Sequence, residues 1–145
     1  MTDRFKNKVV LITGAGQGIG LATARRMASE GAIIIAGILD DTQAEAVNEY
    51  EAIKLDVRHE ESWISAMDLL MKSHGGLDVL INNAGISPQA TAEETTPEFW
   101  DEVMAINLRG SFLGCQKAIP LMRKRGGGAI VNLASINGIR GNRRL

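Results

Sequence analysis

Short runs of uninterrupted apolar residues alternate along this chain with longer stretches in which apolar positions recur at helical spacing. The runs are Val9 to Ile12, Ile33 to Ala36, Ala52 to Leu55, Val79 to Ile81 and Ala129 to Leu133. Continuous rather than alternating hydrophobicity is what strands buried on both faces of a parallel sheet show. Between the runs the pattern predicts helices over 18–30, 41–49, 60–73 and 97–125. The third carries Trp63, Met67, Leu70 and Met71 at helical spacing, a stripe that reads as core packing. The fourth opens on Thr96 as N-cap with Pro97 in the first helical position, and Gly126-Gly127-Gly128 ends it before the last strand. The whole is βαβαβαβαβ. It predicts an α/β fold with a doubly wound, Rossmann-like parallel sheet of five strands in the order 3-2-1-4-5, forming one domain over 1–145.

The first apolar run feeds Thr13-Gly14-Ala15-Gly16-Gln17-Gly18-Ile19-Gly20, which opens a helix. A glycine-rich turn at a helix N-terminus lets the backbone approach an anion and offers it unpaired N–H groups. The spacing is Gly14-x-x-x-Gly18-x-Gly20, not the Gly-x-Gly-x-x-Gly dinucleotide fingerprint, whose third glycine would fall on Ile19. The turn alone is also compatible with tight backbone packing. Gly14-x-Gly16-x-Gly18 would also suit an S-adenosylmethionine-dependent methyltransferase, a reading weakened by the lack of an acid within Val9 to Ile12. A P-loop is excluded, since no Gly-Lys-Ser/Thr follows the glycines.

Composition narrows the classes further. The 145 residues are 45% hydrophobic and 23% charged, with a formal net charge of −1, so no global basic excess points to nucleic acid or an anionic membrane. Arg140, Arg143 and Arg144 form a local basic cluster that reads as a solvated loop. The single Cys115 excludes an internal disulfide and, with no secretory segment at the start, points to a cytoplasmic protein. No apolar run approaches the roughly 20 residues needed to span a bilayer. No metal site is indicated. His59 and His74 fall at the exit of strand 3 and the end of the third helix, and read as surface residues.

In an open sheet of this order, ligands bind beyond the carboxyl ends of the strands, beside the switch point between strands 1 and 4. The polar residues collect there: Thr13 and the glycines after strand 1, Asp40 and Asp41 after strand 2, Asp56 after strand 3, Asn82-Asn83-Ala84-Gly85 after strand 4, and Ser135 after strand 5.

Five blocks resemble the short-chain dehydrogenase/reductase family: Thr13-Gly14-x-x-x-Gly18-x-Gly20, Leu55-Asp56-Val57, Asn82-Asn83-Ala84-Gly85, Ile106-Asn107-Leu108, and Ile130-Val131-Asn132-Leu133-Ala134-Ser135. They run from about Lys8 to the end in the family's order. The resemblance implies an NAD(P)-dependent oxidoreductase that transfers hydride between an alcohol and a carbonyl of a small-molecule substrate. It also implies a homo-oligomeric full-length parent. The cofactor-binding residues it implies are Thr13, Gly14, Gln17, Gly18, Ile19 and Gly20 at the pyrophosphate, Asp40 at the ribose, Asp56 and Val57 at the adenine, and Asn83, Ala84 and Gly85 at the riboses. Gly14 would allow the turn, Gly18 the close approach and Gly20 the helix packing. Asn83 also reads as a structural bridge between neighbouring strands, and Asp56 as a solvated turn carboxylate.

The resemblance further implies that Ser135 bonds the substrate oxygen and that Asn107 holds a water in a proton relay. Each has a plainer reading: Ser135 as the cap of a following turn, and Asn107 as a partner for backbone groups at a helix kink near Gly110. The tyrosine and lysine of the family's Tyr-x-x-x-Lys motif would fall beyond Leu145. The only tyrosine is Tyr50, with no lysine four residues on. The chain therefore reads as the cofactor-binding front part of a reductase, cut short, with its own activity in doubt. A non-catalytic dinucleotide-binding or inactive fragment is the alternative. The cut would leave strand 5 as an exposed edge and uncover Phe99, Val103, Phe112 and Leu113 of the fourth helix. The cofactor is NAD or NADP. The acidic residue expected after strand 2 for NAD is Ile38 by spacing, but Asp40, about 20 residues after Gly20, stands close enough to lean the reading toward NAD.

Overall fold

The computed structural model describes residues 3–140. Arg143 and Arg144 of the basic cluster lie outside the described residues, while Arg140 is exposed. Five strands form one sheet: β1 (Val9–Thr13), β2 (Ile33–Ile38), β3 (Glu51–Lys54), β4 (Val79–Asn82) and β5 (Ala129–Asn132). Their order is β3-β2-β1-β4-β5, every pairing is parallel, and Thr13 lies opposite Gly37 at the carboxyl end of the β1–β2 pair. This is the doubly wound order that the apolar runs predict.

Alternate residues of β1 feed two separate cores, which is why its apolar run is unbroken. Val9 and Leu11 pack with Trp63, Leu70, Leu80 and Met122, beneath α2 (Glu60–His74) and α4 (Gly110–Lys124). Val10 and Ile12 pack with Ala24, Met27, Ile34 and Val47, beneath α1 (Gly18–Ala28). Trp63, Met67 and Leu70 of the predicted stripe are buried. Trp63 also donates its indole N–H to the Val57 carbonyl at 3.1 Å, fixing the turn after β3.

Two helical expectations fail locally. Residues 41–49 form two short 3-10 turns, Asp41–Gln43 and Glu45–Val47, instead of a helix. Asp40 caps the first by accepting the Thr42 backbone N–H at 2.9 Å. The segment 97–125 is not one helix either. α3 (Pro97–Met104), capped by Thr96 and opened by Pro97, gives way to a π-helical segment at Ala105–Arg109 before α4 begins. Asn107 lies in that segment, with its side chain bonded to the backbone of Ile86.

β5 is an edge strand and largely exposed. Phe112 is exposed as expected, together with Trp100 and Leu108, but Leu113 turns inward and is buried in the core. His74 is not a plain surface residue: its side chain is only 17% exposed and lies 2.8 Å from Glu51. His59 is exposed. Away from the strand carboxyl ends, Glu30 ties the amino-terminal segment down through ion pairs with Arg4 and, at 2.6 Å, Arg26. Hydrogen bonds from both guanidinium groups hold its carboxyl down at about 2. No helix among the described residues is long and apolar enough to cross a membrane.

Candidate functional site

Beyond Thr13 the backbone turns through Gly14 at φ 63° and reaches α1 through Gly18 at φ 53°, both in the left-handed region that favours glycine. Gly20 serves packing: a side chain there would collide with the Gly14 carbonyl and the Asn83 amide. Gly18 differs, because a side chain there would meet nothing within 4 Å. Gln17, the residue before α1, gives its helix no side-chain cap, and the first turn holds no acidic residue. The first helical bond runs from Leu21 N–H to Gln17 O, so the N–H groups ahead of it have no partner within the helix. An uncapped, acid-free helix start under open space is a place for an anion.

The glycine turn is tied to the end of β4 across the switch point. Thr13, 1% exposed, accepts the N–H groups of Asn83 at 3.0 Å and Ala84 at 2.9 Å on its hydroxyl. Asn83 returns the tie by donating its amide to the carbonyls of Thr13 at 2.8 Å and Gly14 at 3.1 Å. Thr13 and Asn83 thus build the turn. Of the two, only Asn83 lines the crevice.

That crevice has a volume of about 530 Å³ and gathers Gly14, Gln17, Gly18, Ile19, Asp56, Val57, Asn83, Ala84 and Gly85 from the sequence-predicted set. Its size falls within the range of small-molecule and cofactor sites. Gly20 and Thr13 stand behind it as supports. Asp40 is the exception: it is exposed, does not line the crevice, and spends its carboxylate on the backbone and hydroxyl of Thr42. Those two bonds, the hydroxyl first, hold its carboxyl below the usual range. The local cap defeats the placement at the ribose that spacing suggests. Ile38 does not take its place, being buried in the α1-side core.

Asp56 does reach the crevice, but its carboxylate is already engaged. Arg58 donates its backbone N–H at 3.0 Å, its Nε at 2.9 Å and its Nη2 at 2.6 Å to it, chiefly through the side chain, and holds the carboxyl below its ordinary value despite partial burial. The sequence reading overlooked Arg58. Its signal was available in the placement of a cation two residues past Asp56. Leu39, Gln43, Leu55, Ile86, Glu102 and Ile106 complete the lining and were also overlooked.

A second recess of about 360 Å³ adjoins the first at Ile86, which lines both. It brings together the two residues expected to be catalytic, Ser135 and Asn107, with Ser87, Thr95, Phe99, Trp100 and Asn137. None of its lining residues is charged. Asn107 accepts the Ile86 N–H on Oδ1 at 2.9 Å and donates Nδ2 to the Ile86 carbonyl at 2.8 Å. It thereby fixes the one residue shared by both recesses. The Ser135 hydroxyl accepts the Asn137 N–H at 3.2 Å, capping the 3-10 turn Ile136–Gly138, and still faces the recess. Tyr50 lines neither recess and packs against the α1-side core, where burial raises its hydroxyl above its ordinary value. Among the described residues no group of His, Cys, Asp and Glu is arranged to hold a metal ion.

The order of these features along the chain has counterparts in known proteins. The chain is similar to a 3-alpha-(or 20-beta)-hydroxysteroid dehydrogenase of Mycobacterium tuberculosis, at 36% identity over 146 residues covering 97% of this chain and 56% of the relative. It is similar to levodione reductase of Leifsonia aquatica, at 40% identity covering 97% and 57%. With D-threitol dehydrogenase of Mycolicibacterium smegmatis it shares 41% identity, covering 91% and 54%. The crystal structure of gox2181 superposes with a TM-score of 0.91 at 33% identity, covering 97% of this chain and 58% of that one. The chain thus spans somewhat over half the length of the relatives it matches. A family model described as short chain dehydrogenase matches residues 8–145, and with it the open sheet, the glycine turn and the Asn82-Asn83-Ala84-Gly85 segment fall into one frame: the chain belongs to the short-chain dehydrogenase family.

Proposed function

We propose that the crevice over the glycine turn binds a nicotinamide dinucleotide, and that the protein uses it to transfer hydride between an alcohol and a carbonyl. The observation that carries this reading is the start of α1: uncapped, free of acid, and open above Gly18. A pyrophosphate fits that donor set, because it accepts from backbone N–H groups and gains from the positive end of the helix dipole. Gly14, Gln17, Gly18 and Ile19 would hold the pyrophosphate, with Thr13 and Gly20 keeping the turn in shape. Val57 and the Asp56–Arg58 pair would border the adenine, and Asn83, Ala84 and Gly85 the riboses. The bound dinucleotide supplies the hydride. The adjoining recess would take the substrate, with the Ser135 hydroxyl donating to its oxygen as charge develops there and Asn107 holding Ile86 between the two molecules.

The uncharged lining of that recess favours a neutral alcohol or carbonyl substrate. The similar proteins, a hydroxysteroid dehydrogenase, a levodione reductase and a threitol dehydrogenase, agree in reaction type and differ in substrate. Asp40, on which a lean toward NAD depends, does not line the crevice, so it supports no preference. A homo-oligomeric protein is also proposed, supported by the exposed Leu108 and Phe112, which border one open recess with Met104 and Ala105. Titration of the chain with NADH, followed by nicotinamide fluorescence, tests the reading. Saturable one-site binding is expected, and absence of binding for both NADH and NADPH overturns it. A second reading, binding without turnover, is favoured by one observation: the chain's sole tyrosine, Tyr50, lines neither recess, so among the described residues no tyrosine stands beside Ser135 as a proton donor.

A further inference from the structure

NAD and NADP differ by one phosphate on the adenosine ribose, so any choice between them falls to the groups at the carboxyl end of β2, where dinucleotide-binding sheets place their ribose-reading residue. Two acids follow β2, and neither lines the crevice. Asp40 bonds Thr42, and Asp41 holds the Lys54 ammonium at 2.8 Å. The residues that do line it there are Leu39 and Gln43, with Gln17 of the glycine turn. Gln43 is seated directly on that turn. A side chain at Gly16 would come within 2.5 Å of the Gln43 Cβ and 2.9 Å of its Oε1. The same Oε1 accepts the Leu39 N–H at 3.2 Å. Because that carbonyl oxygen is taken by the backbone, the carboxamide is oriented, and the group left to act is Nε2 with its two N–H donors.

We propose that Gln43 is the residue that reads the adenosine ribose, and that its neutral donor amide admits a 2′-hydroxyl and a 2′-phosphate alike, so the chain binds NAD and NADP with little discrimination. This rests on the dinucleotide reading above. Both ribose forms present acceptor oxygens to an N–H donor. Among the other charged lining residues, Asp56 and Arg58 are paired at 2.6 Å, and Arg58 also approaches Glu102 at 3.8 Å, so neither sign of charge stands alone to select or reject the phosphate. No sequence pattern marks this role, because Gln43 acquires it only through its contacts with Gly16 and Leu39.

The test is fluorescence titration of the chain and of two variants, Gln43→Glu and Gln43→Lys, with NADH and NADPH, with thermal melts confirming that each variant is folded. The wild-type dissociation constants for the two ligands are expected to lie within about tenfold of each other, since Leu39 and Gln43, which line the crevice after β2, carry no charge. Gln43→Glu should weaken NADPH at least about a hundredfold relative to NADH, because a carboxylate then opposes the phosphate at close range. Gln43→Lys should move the ratio the other way, and serves alone if the glutamate variant fails to fold. A wild-type ratio beyond tenfold, or a ratio that the folded variants leave unchanged, overturns the role of Gln43 while the dinucleotide reading stands. Failure of the wild type to bind either ligand overturns both.

Discussion

Replacing Thr13 with valine removes one hydroxyl and leaves the side-chain volume almost unchanged, which isolates the tie between the glycine turn and the end of β4. Thr13 is 1% exposed, and its hydroxyl accepts two backbone N–H groups, from Asn83 at 3.0 Å and Ala84 at 2.9 Å. Its own bond to the Ile81 carbonyl is long, at 3.5 Å, and contributes little. A buried donor left without an acceptor costs about 1–3 kcal/mol, so two part-buried ones cost about 2–4 kcal/mol together. That is a large share of the roughly 5–15 kcal/mol by which domains are stable. Thr13→Ser keeps the acceptor and loses one methyl, so its cost should stay near 1 kcal/mol, the scale of a single buried CH₂ group. Urea unfolding of the two variants beside the wild type measures both numbers. A Thr13→Val loss no larger than that of Thr13→Ser would show that the hydroxyl does not hold the switch point together, and the account of how the crevice is shaped would fail.

Other expectations follow from single contacts. Glu30 has its carboxyl held at about 2 by Arg4 and Arg26, below the ordinary 4.5, so the stability it contributes is full above about 4.5 and is lost as pH falls toward 2; Glu30→Gln should flatten acid unfolding across that window. Asn107→Ala frees the exposed backbone of Ile86 and should lower NADH affinity several-fold while costing no more than about 0.5–1.5 kcal/mol of stability by urea unfolding. The 145-residue chain should bind dinucleotide yet show no turnover on a panel of ketones, quinones, sugars and acyl thioesters, since its one tyrosine, Tyr50, lines neither recess and general acid–base catalysis contributes about 10²–10⁴-fold. Robust turnover would mean that another residue donates the proton.

What the sequence made legible was set by interactions that repeat along it. The strands and their order could be read because burial on both faces leaves unbroken apolar runs such as Val9 to Ile12, and the glycine turn because positive φ at Gly14 and Gly18 demands glycine. What stayed hidden was decided by contacts between distant positions or by competing local bonds. The helix expected over 41–49 is two short 3-10 turns instead, and Asp40, whose carboxylate caps the first of them, does not line the crevice. The break at Ala105–Arg109 accompanies the pairing of Asn107 with Ile86, 21 residues earlier in the chain, which no helical pattern reveals. Asp56 was placed correctly in the crevice, but its partner Arg58 changes what the carboxylate has left to offer.

The central claim, that a pyrophosphate rests on the open start of α1, is tested most directly at Gly18. A side chain there meets nothing within 4 Å, and asparagine and aspartate are the non-glycine residues most at ease at its φ of 53°, so both variants should fold. An aspartate about 4 Å from a phosphate is opposed by about 4 kcal/mol at an effective dielectric of 20, whereas an asparagine of the same size brings no such repulsion. Titration of wild type, Gly18→Asn and Gly18→Asp with NADH should therefore show the aspartate variant weaker than the asparagine variant by about a thousandfold, or with no measurable binding at all. Equal NADH affinity in the aspartate and asparagine variants would contradict the account.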